Sequence, residues 1–369
     1  MNTINVAARE YYSRPADQRM DSPQALVDAV TARKQASREV TWNAKDLQVM
    51  PVEAGDGSHG RIALASPRGQ AELTPWSHGQ LCRLVGAPAA YVRTLPSDVA
   101  AAALNHGLQA SQVGTKAVVL AQRAPDTGTV TARAITTETY GRLWDADYYA
   151  PVVNTLSAQG WDTPPTWDGK PAGAYLSDRD SFLIMVNGGS IVSDPSARQG
   201  DGQQLYRGVM LRNSEVGLTS VWCDEVLFRF VCGNHMLWGA VYGAQFKRRH
   251  VGTAVLRDTL REIGALVRRV STRPASADEQ LIKALISTEL AATKEGIVDE
   301  LRKMGATQAD AEAAYVATVQ TENVSPRSFW GIAQGLTRVS QESGHQDDRL
   351  ALDQLAAKVL SRGRQLVAA

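Results

Sequence analysis

The chain has 369 residues, 44% of them hydrophobic and 21% charged, and its 39 Lys+Arg against 38 Asp+Glu leave a formal charge of +1. Those proportions belong to a folded globular chain and exclude a disordered, collagen-like or membrane-embedded one. With net charge so close to zero there is no global steering toward nucleic acid or membrane, so any such binding has to come from a local patch.

Met1 to Arg9 carry neither a basic stretch nor an apolar one, so no signal peptide is expected. Ser22-Pro23 signals the start of a short helix over 25–30, and the apolar runs of 45–65, broken by Gly55-Asp56-Gly57, suit a hairpin. Thr74-Pro75-Trp76-Ser77 opens a helix that ends at Gly86; a second starts at Pro88, and Ser97-Asp98 caps a third. The longest clean apolar run lies near 117–121, far short of the roughly 20 residues of a membrane span. Strands are expected at 115–123 and 128–136, flanking a turn at Pro125-Asp126, and an amphipathic helix at 144–159.

Further strands are expected at 174–176, 181–186, 205–213, 218–224 and 225–232, with Asp224-Glu225 at a hairpin tip facing water. The Ser-, Gly- and Asp-rich stretch 190–203 reads as a mobile loop. After Leu237 the pattern is helical: Val251, Val255, Leu260, Ile263, Leu266, Val267 and Val270 place a helix over 246–270. Ser271-Thr272-Arg273-Pro274 stops it, and Ser276-Ala277-Asp278-Glu279 reads as the capping box of the next. The expected fold class is α+β, with a central mainly antiparallel sheet, packed helices and a helical C-terminal part. The expected organisation is a lead-in and hairpin (1–70), an α+β core (71–273) and a helical region (274–369).

The chemistry-bearing signals are local. Residues 237–273 hold eight Lys/Arg against Asp258 and Glu262, an excess of six positive charges in a nearly neutral chain. His250, Arg257, Arg261 and Arg268 are spaced 7, 4 and 7, which places them on one stripe of the expected helix. Arginine offers a forked pair of donors to each phosphate, and cations at this spacing can follow a sugar-phosphate backbone. Lys247, Arg248 and Arg249 extend the patch, and Tyr242 and Trp238 adjoin it as rings on which bases could stack. Phe228 and Phe230, alternating on one strand face, read as core. The candidate nucleic-acid-binding residues are therefore Lys247, Arg248, Arg249, His250, Arg257, Arg261, Arg268 and Tyr242.

Other constellations are weaker. Cys223, Cys232, His235 and His250 are zinc-ligand types without a C-x2-C knuckle, and no metal or other cofactor is expected. Asn213-Ser214-Glu215-Val216-Gly217 reads first as a turn between strands, and second as a catalytic loop in which His235 activates Ser214. Asp145 and Asp147, two apart on a helix, point away from each other. No P-loop, HExxH, GxSxG or strand-borne GxGxxG is present. Three cysteines, Cys82, Cys223 and Cys232, make no disulfide framework and point to a reducing cytoplasm.

The stretch Arg207-Gly208-Val209-Met210-Leu211-Arg212-Asn213-Ser214-Glu215-Val216-Gly217, followed by Phe228-Arg229-Phe230-Val231-Cys232-Gly233-Asn234, resembles a family of phage- and plasmid-encoded proteins catalogued as a domain of unknown function. The pattern is echoed by Gln80-Leu81 with Gly86-Ala87-Pro88 and Tyr91, by Arg133-Ala134-Ile135-Thr136 with Tyr140, by Arg249-His250, and by Phe329-Trp330-Gly331-Ile332 with Thr337. His235 departs from it, since a small residue is expected after Asn234. The resemblance implies a mobile-element setting in a bacterial host. Together with the basic patch it leads to the expectation of a non-enzymatic nucleic-acid-binding protein, acting in single-strand DNA binding or annealing as a homo-oligomer with no membrane partner. The alternatives are a host-protein-interaction factor and, third, a hydrolase using His235, Ser214 or Cys232.

Overall fold

The computed structural model describes residues 14–52, 61–66, 69–164, 173–193, 204–229, 241–252, 254–343 and 346–368; for some of these, Tyr242 among them, the backbone alone is described. Helix α1 (Pro23–Gln35) starts where the Ser22 side chain accepts from the Ala25 amide, with proline just inside the first turn. The chain then enters a six-stranded sheet made of β1 (Ser37–Asn43), β2 (Val49–Pro51), β3 (Ile62–Ser66), β4 (Gly69–Leu73), β5 (Lys116–Arg123) and β6 (Val130–Thr136). Its order is β1-β5-β6-β4-β3-β2, antiparallel except where β4 runs parallel to β6. The boundary expected between residues 70 and 71 falls inside β4, which pairs antiparallel with β3 from Ala63↔Glu72 to Ser66↔Gly69. Helices α2 (Pro75–Leu84), α3 (Ala89–Val92) and α4 (Ser97–Ala110) pack Leu81, Cys82, Val92, Leu104 and Leu108 against Leu64, Val119 and Ile135 of this sheet. Thr74 caps α2 as expected, whereas Ser97 is already helical and Pro96 holds the cap position of α4 without a side-chain bond.

Helix α5 (Asp145–Ser157) leads into the second sheet: β7 (Trp161–Asp162), β8 (Ala174–Leu176), β9 (Ser181–Ser193), β10 (Gln204–Asn213), β11 (Val221–Arg229) and β12 (Val241–Arg248). The order is β12-β11-β10-β9-β7, with β8 also on β9, and every pairing is antiparallel. Helices α1, α5 and α6 (Ala254–Thr272) cover one face. Leu26, Tyr148, Val152, Ile263, Val267 and Val270 meet Met185, Val209, Leu211 and Cys223 in one apolar cluster. Helices α7 (Ala275–Ser287), α8 (Lys294–Lys303), α9 (Gln308–Thr321), α10 (Phe329–Glu342) and α11 (Gln346–Ala368) build a separate core around Phe329, Trp330 and Leu336, which Leu205 and Leu227 of the sheet join. The protein is thus α+β with a helical C-terminal part, built on two sheets where one was expected.

Four local expectations need correction. Residues 241–248 are a strand, because pairing of Val221↔Arg248 through Val226↔Val241 claims them before the helical pattern starts at Ala254. Asp224 and Glu225 lie inside one continuous strand and are buried, not at a hairpin tip. The presumed capping box does not cap: Pro274 precedes α7 with no side-chain bond, and Asp278 turns inward. The expected loop at 190–203 begins as strand through Ser193, and 194–203 lie outside the described residues.

Asp278 turns inward because Arg207 is there. Arg207, on β10 and only 1% exposed, donates from Nε to Asp278 Oδ2 at 2.9 Å and also makes an ion pair with that carboxylate. Its other nitrogens donate to the carbonyls of Val270 at 3.2 Å, of Pro274 at 3.2 Å and of Arg273. The guanidinium therefore satisfies carbonyls that the end of α6 leaves without helical partners and ties α6 and α7 to the sheet. Arg273 bridges Glu225 and Asp278, the latter at 2.7 Å, so buried charge is matched on both sides. Removing one partner strands the other in a dry interior. Asp278→Asn is expected to lower unfolding free energy by about 3–5 kcal/mol in urea denaturation, whereas Arg207→Met combined with Asp278→Leu recovers much of the loss. Equal stability of parent and Asp278→Asn would show that the clamp contributes nothing.

Candidate nucleic-acid interface

Helix α6 presents opposite chemistries on its two sides. Thr259, Ile263, Leu266, Val267 and Val270 are buried against the second sheet and α5, while Arg257, Arg261 and Arg268 are exposed. At about 100° per residue these three arginines fall within an arc of about 40°. Arg261 leans on Asp258 at 3.2 Å, an exposed pair one turn apart that holds it weakly. Arg257 and Arg268 pair with no acid among the described residues. Lys247, near the end of β12, is exposed with its ammonium 4.5 Å from the centroid of the Trp222 ring. Arg249 is exposed between β12 and α6, and Arg269 is exposed one residue past Arg268. Arg248 is less free, paired with Glu262 at 2.8 Å and lying over Phe246.

His250 does not belong to the stripe. It sits in the link before α6, buried, with Nδ1 3.1 Å from the Gly141 carbonyl oxygen and its ring stacked on Tyr140 at 5.2 Å. The seven-residue spacing to Arg257 has meaning only along an unbroken helix, and His250 lies outside it, after β12 ends at Arg248 and before α6 begins at Ala254. Burial lowers the His250 pKa, so the ring stays neutral and offers no charge to a phosphate. The Tyr242 side chain, and Cys232, Asn234, His235 and Trp238 altogether, lie outside the described residues.

Other reactive groups are set for inertness. Within α2, Cys82 Sγ lies 3.7 Å from His78 Nδ1, but burial pushes the thiol up and the imidazole down. Both therefore stay neutral, the reverse of an activated thiolate. Cys223 is fully buried on the sheet face and its pKa is raised in the same way. Among the described residues no group of three or more His, Cys, Asp and Glu is placed to hold a metal ion. No helix among them is long and apolar enough to cross a membrane.

The segment Asn213–Gly217 is the turn after β10, and it does more than reverse the chain. Ser214 Oγ donates to the Arg179 carbonyl at 2.7 Å and accepts from the Leu218 amide at 2.9 Å, which uses the hydroxyl to hold the turn. Glu215, 1% exposed, accepts from Arg133 of β6 at 2.8 Å and from the Asp145 amide at 3.0 Å. Its carbonyl takes the Arg142 guanidinium. The next carbonyl, of Val216, accepts from both Trp76 Nε1 and Gln80 Nε2 at 2.8 Å. Gly217 completes the reversal at φ +84°, a conformation that L side chains resist. A turn of the second sheet is thereby plugged into the first. Its local pattern reads first as a turn between strands, since nothing in that pattern shows that partners of Glu215 and Val216 lie roughly 70 to 140 residues away.

Asp145 completes this junction, accepting from Ser181 Oγ at 2.7 Å and Asn213 Nδ2 at 2.8 Å. Burial, and then the charge of Glu215, push its carboxyl up to about 7 against those hydrogen bonds. Burial would also raise Asp180, but Arg14 at 2.8 Å and Arg212 at 2.6 Å outweigh it and hold that carboxyl at about 2. Asp147, two residues on, faces outward to Lys34, so the two acids of this helix do point apart. The junction is internal and matched in charge, a structural joint rather than an open site.

Residues 166–345 match a family described as a domain of unknown function (DUF932). The match contains the Arg207–Gly217 stretch, Arg249-His250 and Phe329-Trp330-Gly331-Ile332, while the echoes around Gln80 and Arg133 fall before it. No curated protein and no solved structure matches the chain.

The two perturbed carboxyls give opposite pH dependences. Asp145 titrates near 3.8 when unfolded and at about 7 in the fold, so the native state holds the extra proton and stability falls as pH rises between those values. Asp180 contributes stability that is lost as pH falls from its unfolded value toward about 2. Asp145→Asn keeps the acceptor and removes the charge. It is expected to flatten the decline and to raise stability above neutral pH by on the order of 2 kcal/mol. Denaturation across that range checks this, and an unaltered slope would remove Asp145 as its source.

Proposed function

We propose that this chain is a non-enzymatic protein that binds nucleic acid through the phosphate backbone, single-stranded DNA in particular, in the cytoplasm of a bacterium carrying a phage or plasmid. The observation that carries the reading is the exposed stripe Arg257, Arg261 and Arg268 on α6, flanked by Lys247 and Arg249. With 1.5 Å of rise per residue the stripe places guanidiniums about 6 Å and then about 10.5 Å apart along the helix. Each guanidinium presents two parallel donors to a phosphate, and none has to be withdrawn from a buried pair to do so. The helix is anchored by its apolar face, which keeps the cations in register on a rigid element.

Trp222 lies buried under Lys247 and is not free to stack on a base. Trp222 is thus no stacking platform, and the contacts offered by the stripe itself are to phosphate, which carry little sequence preference. Several copies aligning their stripes would suit strand protection or annealing.

The test is fluorescence anisotropy with a labelled single-stranded oligonucleotide over a salt series. The parent is expected to bind with log K falling by about 0.7 per phosphate neutralised. Arg257→Glu, Arg261→Glu and Arg268→Glu together should abolish measurable binding and leave the fold intact, since exposed substitutions typically cost within about 0.5 kcal/mol each. A folded triple variant that binds like the parent, or a parent that fails to bind at low salt, would refute the proposal.

A further inference from the structure

The exposed stripe contains a fourth position. By helical geometry Gly264 falls between Arg261 and Arg268 and within an arc of about 60° that holds all three arginines. Glycine in the interior of a 19-residue helix weakens it, so its presence calls for a reason. Elsewhere the reason is plain: a Cβ on Gly335 would stand 2.0 Å from the Ala314 carbonyl oxygen, where two helices cross. At Gly264 no neighbouring element among the described residues crowds the backbone. Apart from the helix's own backbone and the adjoining residues, the one atom among the described residues within 4 Å of the Cβ position is Arg268 Nη1, at 3.4 Å, the far end of a flexible side chain of the same stripe.

We propose that Gly264 is the floor of a phosphate cradle, where a phosphodiester of the bound strand approaches the bare helix backbone between the guanidiniums of Arg261 and Arg268. This rests on the phosphate-binding reading above and specifies where on the stripe the strand comes closest. A Cβ at 264 would meet Arg268 Nη1 at ordinary contact distance, and a longer side chain would occupy the space a phosphate needs and crowd that guanidinium. Of the acids on this helix, Glu262 is paired with Arg248 at 2.8 Å, and Asp258 leans on Arg261 at 3.2 Å in an exposed, weak pair that a phosphate can displace. The contact is to the sugar-phosphate chain and not to a base edge, so it discriminates neither sequence nor, by itself, the sugar.

The test compares Gly264→Ala and Gly264→Leu with the parent, using labelled oligothymidine in a salt series and thermal unfolding on the same samples. Alanine and leucine are better helix formers than glycine, so both variants should unfold at or above the parent temperature. The cradle requires that Gly264→Leu nonetheless bind more weakly by about tenfold, with a salt slope shallower by about 0.7, and that Gly264→Ala fall between. Glycine variants that bind as the parent does, while the triple arginine variant has lost binding, would overturn the cradle and leave the broader reading in place. Retention of binding by the triple arginine variant would overturn both. If Gly264→Leu unfolds early, Gly264→Ala alone decides: unchanged affinity and slope in a folded protein reject the cradle.

Discussion

The fold hinges on a carboxylate that has been taken out of water. Glu215 sits in a turn of the second sheet and reaches the first through Arg133, while its other oxygen receives the amide that starts α5. Burying a carboxylate is costly unless it is paired and hydrogen-bonded, and both conditions are met only when the two sheets and α5 are all in place. One side chain thereby makes the relative position of three elements conditional on one another. Trp76 and Gln80 reinforce the arrangement from α2, donating to the carbonyl that follows.

A second matched cluster does the same work at the other end of the second sheet. Arg207 and Arg273 on one side, Glu225 and Asp278 on the other, fasten the end of α6 and the start of α7 to β10 and β11. Such pairs contribute less to net stability than to the choice of one arrangement, because every misregistered alternative leaves a charge buried alone. The residues involved are interior and neutralised, which is why charge inside this protein is not evidence of a reactive site.

The basic surface follows from that anchoring. Once the apolar side of α6 is held on the sheet and its end is clamped, the opposite side faces outward with Arg257, Arg261 and Arg268 aligned. The neighbouring acids are spent locally, Asp258 on Arg261 and Glu262 on Arg248. A nearly neutral chain thus concentrates positive charge on one rigid helix face, the arrangement that phosphate recognition needs.

Much of this was readable from residue order. Helix starts at Ser22-Pro23 and Thr74-Pro75, the hairpin of β5 and β6, and the amphipathic run of α6 all rest on local signals: caps, turn residues and apolar spacing. The arginines of the stripe were found the same way, since residues sharing one helix share a face by geometry alone. What residue order did not determine was everything decided by partners far along the chain. His250 fell off the stripe because strand pairing ended the helix short of it, Asp224 and Glu225 went inside because β11 runs unbroken through them, and Asp278 left its expected cap for Arg207. A buried charge is placed by the opposite charge that waits for it, and that partner is brought near only by folding.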